Sequence, residues 1–294
     1  MGGDVRDETS RTSPLPWRTA LLPAALVCLA APAFFVLEIT WLGVALAFAG
    51  LAAAGLAERR TSGPALRAAG PDDAPGLTRD LALIVAGMLI VSAIPLEAEL
   101  DNAAIARFAV ALGGAVAVPY LVSRFVFRDR AIRFPWRSGA RWSPMQWGWL
   151  VGVLVLGWLI LPFYFITSGV YLNWPVVDTP DLIARLFVGV GAVGIWDELF
   201  FICTVFALLR RHLPDATANV LQAVVFVSFL WELGYRAWGP VLTIPFALLQ
   251  GIIFLRTRSL AYVVTVHLLF DAVVFAVLVH AHNPGLLDAL FLVP

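Results

Sequence analysis

The sequence contains no lysine, only two cysteines and four histidines, and just 14% charged residues. All twenty basic residues are arginine, a feature of coding composition from which no mechanism follows. Cys28 and Cys203 fall in different apolar runs, which excludes a disulfide framework and leaves both as small packing residues. No Cys-x-x-Cys, no paired-His zinc motif and no glycine-rich phosphate loop occurs. What the chain has instead is 61% hydrophobic residues in long runs spread over nearly its whole length, which excludes a soluble domain and points to a polytopic membrane protein.

The opening residues 1–16, MGGDVRDETSRTSPLP, read as a disordered cytoplasmic arm. They do not read as a cleaved signal, because the apolar pattern beyond them continues to about Ala57. Apolar stretches bounded by charge, Pro or Gly clusters predict nine helices, near 19–36, 40–57, 81–96, 104–123, 146–166, 183–209, 216–233, 241–255 and 259–280. Several are short for a span, so eight crossings with one re-entrant or interfacial segment also fit.

Arginine placement tests this scheme, since cytoplasmic loops carry the basic excess. Arg6, Arg11 and Arg18 lie in the arm, Arg59, Arg60, Arg67 and Arg79 at 58–80, and Arg124, Arg128, Arg130, Arg133, Arg137 and Arg141 at 124–145. Arg210, Arg211, Arg256 and Arg258 follow, while the intervening loops hold acids such as Glu97, Glu99, Asp101, Asp178 and Asp181. The alternation implies a cytoplasmic N-terminus. The Arg, Phe and Trp of 124–145 could suit anionic lipid or nucleic acid, but a basic cytoplasmic loop with interfacial aromatics explains them, and no nucleic-acid partner is expected. This loop separates accessory helices and loop, 17–145, from a C-terminal block at 146–283, which a tail at 284–294 follows.

That block holds every candidate catalytic group. Asp197 and Glu198 sit together in the apolar run WDELFFICTVFALLRR, and ionisable groups within a span mark a functional site by default. His267 and Asp271 are four apart, on one helix face, where a carboxylate orients an imidazole. Counting ~1.5 Å per residue, Glu198 lies about 18 Å in from Arg210, His267 about 12 Å in from Ser259, and Asp271 about 18 Å in. Glu232 lies about 26 Å from Asp215 and would have to reach back; beside Trp231 it also suits an interfacial residue pairing with Arg236. His280 and His282 have no third ligand in sight and read as solvent-facing.

These residues are similar to the CAAX-protease and bacteriocin-processing (CPBP, Abi) family of intramembrane glutamic endopeptidases, the type II CAAX prenyl endopeptidases. Its members carry Glu-Glu-x-x-x-Arg, Phe-x-x-x-His and His-x-x-x-Asn/Asp on successive core helices. Asp197 and Glu198 match the first motif, with Ile202 at the Arg position; Phe226 is followed by Leu230 where the second motif has His, Glu232 being the nearest ionisable group; His267 and Asp271 match the third.

The resemblance, over roughly 180–280, implies an all-α polytopic bundle of about eight or nine transmembrane helices with a CPBP/Abi-type core. It implies an endopeptidase acting on a membrane-anchored or prenylated protein in the bilayer, in a prokaryotic plasma membrane. Glu198 would activate water, His267 would bind the water or the oxyanion, Asp271 would orient His267, and Asp197 would support Glu198. No cofactor is implied, one His plus carboxylates being thin for a divalent metal. A catalytically silent relative that binds membrane partners or confers self-immunity is the alternative. A proton-coupled transporter is a third reading, opposed by the absence of an internal repeat.

Overall fold

The computed structural model describes residues 15–61, 76–137, 139 and 141–291; most of the N-terminal arm, with Arg6 and Arg11, and Arg67 lie outside them. Among the described residues there are nine helices and no strand. They are α1 (Trp17–Phe35), α2 (Thr40–Thr61), α3 (Leu77–Val91), α4 (Asn102–Leu121), α5 (Pro144–Pro162), α6 (Pro180–Asp197), α7 (Asp215–Leu233), α8 (Pro240–Thr257) and α9 (Leu260–His282). Wider π turns extend α4 to Val126 and α5 to Thr167, and α6 continues to Leu209. Eight of the nine are long and apolar enough to cross a bilayer, and the chain is an integral multi-pass membrane protein of the all-α class.

The exception is α3, expected at 81–96 and found four residues earlier. Pro95 disfavours helical backbone in the residue before it, so 92–101 runs on without helix. Leu96 N–H there donates to Glu232 Oε1 at 3.3 Å. At the other end of α3, Thr78 is held by the Glu58 carboxylate of α2, through N–H at 3.2 Å and Oγ1 at 2.7 Å. Short as it is, α3 therefore joins both polar faces of the bundle.

The helices start where local chemistry starts them. Ser143 and Gln146 form a reciprocal capping box under Pro144, and Asp101 accepts from Ala103 N–H and Ala104 N–H at 2.8 and 3.0 Å. These two N–H donors hold the Asp101 carboxyl below its ordinary range.

Successive helices alternate in direction, which sorts the polar residues onto two faces. All the described arginines except Arg107, Arg185 and Arg236 lie at helix ends or loops of one face. That face is knitted by a polar cluster around the buried Asp80 and His212. Arg211 binds Asp80 of α3 at 3.0 Å and Asp129 at 2.6 Å, and His212 Nε2 is 2.7 Å from Asp80 Oδ2. The opposite face is held by neutral bonds as well as ions. Asn173 Nδ2 donates to Gly234 O, Asn283 Nδ2 to Val177 O, and Arg185 to Leu100 O and Asn102 Oδ1. Large apolar side chains such as Leu22, Trp41, Val110, Trp147 and Val188 are exposed around the circumference, where a bilayer takes the place of water.

Candidate active site

α6 carries the first two acids. Thr179 caps it through Leu182 N–H, and Pro180 occupies its first turn, where a missing N–H costs nothing. It is regular to Asp197; from Glu198 to Phe206 it widens into a π-helix, with Ala207 N–H bonded to Ile202 O. The carboxylates thus sit at the change of pitch, a recurrent feature of functional sites. Adjacent helical residues point about 100° apart, so the two acids reach different surroundings.

Glu198 is fully buried and turns toward α8 and α9. Its Oε1 lies 2.7 Å from His267 Nδ1 and accepts from Gln250 Nε2 at 2.6 Å. With Glu198 as a carboxylate, Nδ1 is the donor of this bond, and Nε2 faces the other acids. His267 Nε2 is 3.5 Å from Asp197 Oδ2 and 3.9 Å from Asp271 Oδ1. Gln250 also reaches Val263 O, at 3.3 Å, so both neighbours of its amide nitrogen are acceptors. Asp197 Oδ1, Glu198 Oε2 and Asp271 Oδ2 are buried and have no hydrogen-bond partner.

The helices can approach this closely because residue 194 has no side chain. A Cβ on Gly194 would stand 1.9 Å from Asp271 Oδ2, so the α9 carboxylate occupies the space beside the α6 backbone one turn before Asp197. The imidazole is further fixed by Phe246, edge-on at 4.9 Å.

A cavity of about 540 Å³ ends on this cluster. Its walls include α4, α6, Phe246 and Phe270, and Asp197, His267 and Asp271 line it while Glu198 does not. Glu198, expected to be the water-activating group with Asp197 in support, stands behind the imidazole, and Asp197 stands at the cavity. Tyr235, from the loop after α7, lines the same cavity; burial holds its phenol well above the ordinary range, so it remains a donor.

The structure brings together four of the five expected residues, Asp197, Glu198, His267 and Asp271. The fifth, Glu232, is not among the cavity residues and is bound to Leu96 N–H. Its neighbour Arg236 reaches Glu38, at 3.9 Å. Ile202 is fully buried and Leu230 is a buried cavity wall, so neither position brings a polar group to the acids. Sequence reasoning missed Gln250, Tyr235 and Gly194. An amide inside an apolar run was a signal for Gln250; no comparable signal marked the other two.

Residues 179–273, about a third of the chain and all four clustered acid and imidazole positions, match the family model described as type II CAAX prenyl endopeptidase Rce1-like. No curated protein and no solved structure matches the chain. The matched span runs from the start of α6 into α9 and takes in the whole cluster, so this part of the chain is similar to the Rce1-like type II CAAX prenyl endopeptidase family.

Proposed function

We propose that the protein is an intramembrane endopeptidase that cleaves a membrane-anchored protein with water activated by Asp197. The observation that carries this is the placement of Asp197, His267 and Asp271 at the inner end of a cavity inside the spans. The unpartnered Asp197 Oδ1 is the acceptor such a water would use, beside His267 Nε2. Asp197 takes one proton as the water oxygen bonds to the scissile carbonyl carbon, and His267, in its imidazolium form with a proton on Nε2 as well as on Nδ1, donates from Nε2 to the oxyanion. As the C–N bond breaks, the proton held by Asp197 passes to the leaving amine. Glu198 fixes the imidazole through Nδ1, and Asp271 favours the imidazolium whenever Nε2 is protonated. The mechanism uses these side chains alone, and Glu232 has no part in it.

Buried, apolar Ile202 and Leu230 favour one second reading, a silent relative that binds membrane partners or confers self-immunity. One comparison separates the two. Sizes and termini of membrane-associated proteins are compared in cells with wild type, Asp197→Asn, Glu198→Gln or His267→Ala at equal expression. The protease reading expects the same proteins to stay uncleaved in all three variants; if they are processed as in wild type, it fails.

A further inference from the structure

Among the described residues three tyrosines are buried, Tyr164, Tyr235 and Tyr262. The first and last use their hydroxyls inside the protein: Tyr164 Oη donates to Arg236 O at 2.7 Å and Tyr262 Oη to Gln146 O at 2.9 Å. Tyr235 Oη has no hydrogen-bond partner among the described residues. A buried phenol without an acceptor costs stability and calls for a reason. Of the three, Tyr235 is also the one that lines the cavity.

The backbone, not the hydroxyl, fixes its position. Gly234, at φ 129°, ends α7 in a conformation that side chains avoid, and Tyr235 N–H returns to Leu230 O at 2.9 Å. The carbonyls on either side are bound as well, Gly234 O by Asn173 Nδ2 at 3.0 Å and Arg236 O by Tyr164. The ring lies edge-on to Phe165 at 5.7 Å and to Trp174 at 5.8 Å. A donor held this firmly loses little freedom when it meets a ligand.

The other side-chain donors of the cavity are committed elsewhere. Arg185 binds Asp181, Leu100 O and Asn102, Thr243 Oγ1 donates to Gly239 O at 3.2 Å, and Trp196 Nε1 to Leu112 O at 2.7 Å. Trp174 Nε1 is unpartnered but faces the turn, where a Cβ on Gly234 would stand 3.0 Å from it. Beneath the acids, toward the arginine face, lie rings: Trp196 stacks on Phe200 at 5.1 Å and 10°, and Phe201 on Phe226 at 4.4 Å and 15°. Asp197 and Asp271 as carboxylates only accept, yet their charges bear on the Tyr235 phenol. An oxygen gaining negative charge beside Asp197 therefore has two donors available, His267 Nε2 and Tyr235 Oη.

We propose that Tyr235 is a catalytic residue, whose hydroxyl donates to the scissile carbonyl oxygen as that oxygen becomes an oxyanion. This rests on the protease reading above and adds one side chain to it. The phenol keeps its proton throughout, and the water proton still passes through Asp197 to the leaving amine.

The test uses the full-length chain in detergent and, as substrate, a membrane protein whose processing stops in Asp197→Asn cells. Tyr235→Phe keeps both ring contacts and removes the oxygen. Because that oxygen makes no bond in the free protein, the unfolding temperature should equal or exceed that of wild type. Loss of an oxyanion donor lowers kcat about 10²- to 10³-fold, and KM should stay within about threefold. Tyr262→Phe, which loses the bond to Gln146 O, should do the reverse, lowering the unfolding temperature and sparing kcat. A kcat for Tyr235→Phe close to that of wild type overturns the proposal and leaves the protease reading standing. A kcat loss that comes with a lower unfolding temperature makes the hydroxyl structural and overturns it too. If no membrane protein is processed differently in wild-type and Asp197→Asn cells, the protease reading fails and this assignment falls with it.

Discussion

Replacing Gly194 by alanine tests the closeness of α6 and α9 most directly. Two effects of opposite sign compete. Alanine is the better helix former by about 0.8–1 kcal/mol in a helix interior, which favours the variant. Its methyl group would lie 1.9 Å from Asp271 Oδ2, so the carboxylate or the helix has to move by on the order of 1 Å. Overpacking of this kind costs about 1–3 kcal/mol, so the net change in stability is destabilising by up to about 2 kcal/mol. The chemistry should suffer more, because a displacement of about 1 Å in a catalytic group lowers the rate about 10²-fold.

The decisive comparison uses Asp271→Ala as a second background. With the carboxylate gone, the nearest remaining neighbour is His267 Cδ2 at 3.4 Å, a contact a Cβ can accommodate. There Gly194→Ala should stabilise, recovering the helix-propensity gain of about 1 kcal/mol. Thermal unfolding of the four purified proteins in detergent reads this as a change of sign. The same stability change in both backgrounds would refute the packing described here.

Gln250→Met keeps the size of the side chain and removes its donor to Glu198; hydrogen bonds to charged groups are worth about 1.5–3 kcal/mol, so kcat should fall about 10- to 100-fold with KM unchanged. Gln222→Met, which removes an amide bonded to Ala247 O and Asn219 but not to Glu198, should change stability and spare kcat, and equal kcat values for the two variants would count against the positioning role. Glu232→Gln retains an acceptor for Leu96 N–H and should process substrate within twofold of wild type; abolished cleavage would put Glu232 back among the catalytic groups. The Asp101 cap should be acid-sensitive, because its folded carboxyl titrates below the ordinary value of 3.8: its contribution is complete above that value and disappears as pH falls through the lowered one. Asp101→Ala should therefore lower the unfolding temperature at pH 7 and leave it unchanged at strongly acidic pH, whereas an equal drop at both would show that the cap is not responsible.

The helices were legible because their apolar runs are long and their boundaries carry Pro, charge or a cap. The start of α3 was misplaced because Leu77 and Thr78 are held by tertiary partners, Glu58 among them, that a local pattern does not contain. Simple helix rise placed Glu198, His267 and Asp271 at similar heights, and the structure brings them together. Rise gives height and not azimuth, however, so it could not tell which of two adjacent acids faces the cavity. The switch to π pitch at Glu198 adds to that ambiguity. Gly194 was illegible for a related reason: its meaning lies in an atom of a helix more than seventy residues away.

The stacked rings beneath the acid cluster have a consequence for the cell as well as for the site. A cleft ending on two carboxylates and an imidazole would, if filled by water, be half of a proton channel, and a membrane holding an electrochemical gradient would discharge through the other half. Phe200, Phe201, Phe206 and Phe226 offer no hydroxyl, amide or carboxylate along which a proton could continue toward the arginine face. The rings narrow the polar route on that side to Glu198, Gln250 and the Gln222–Asn219 pair, so a proton crossing beyond the cleft would have to pass through those side chains.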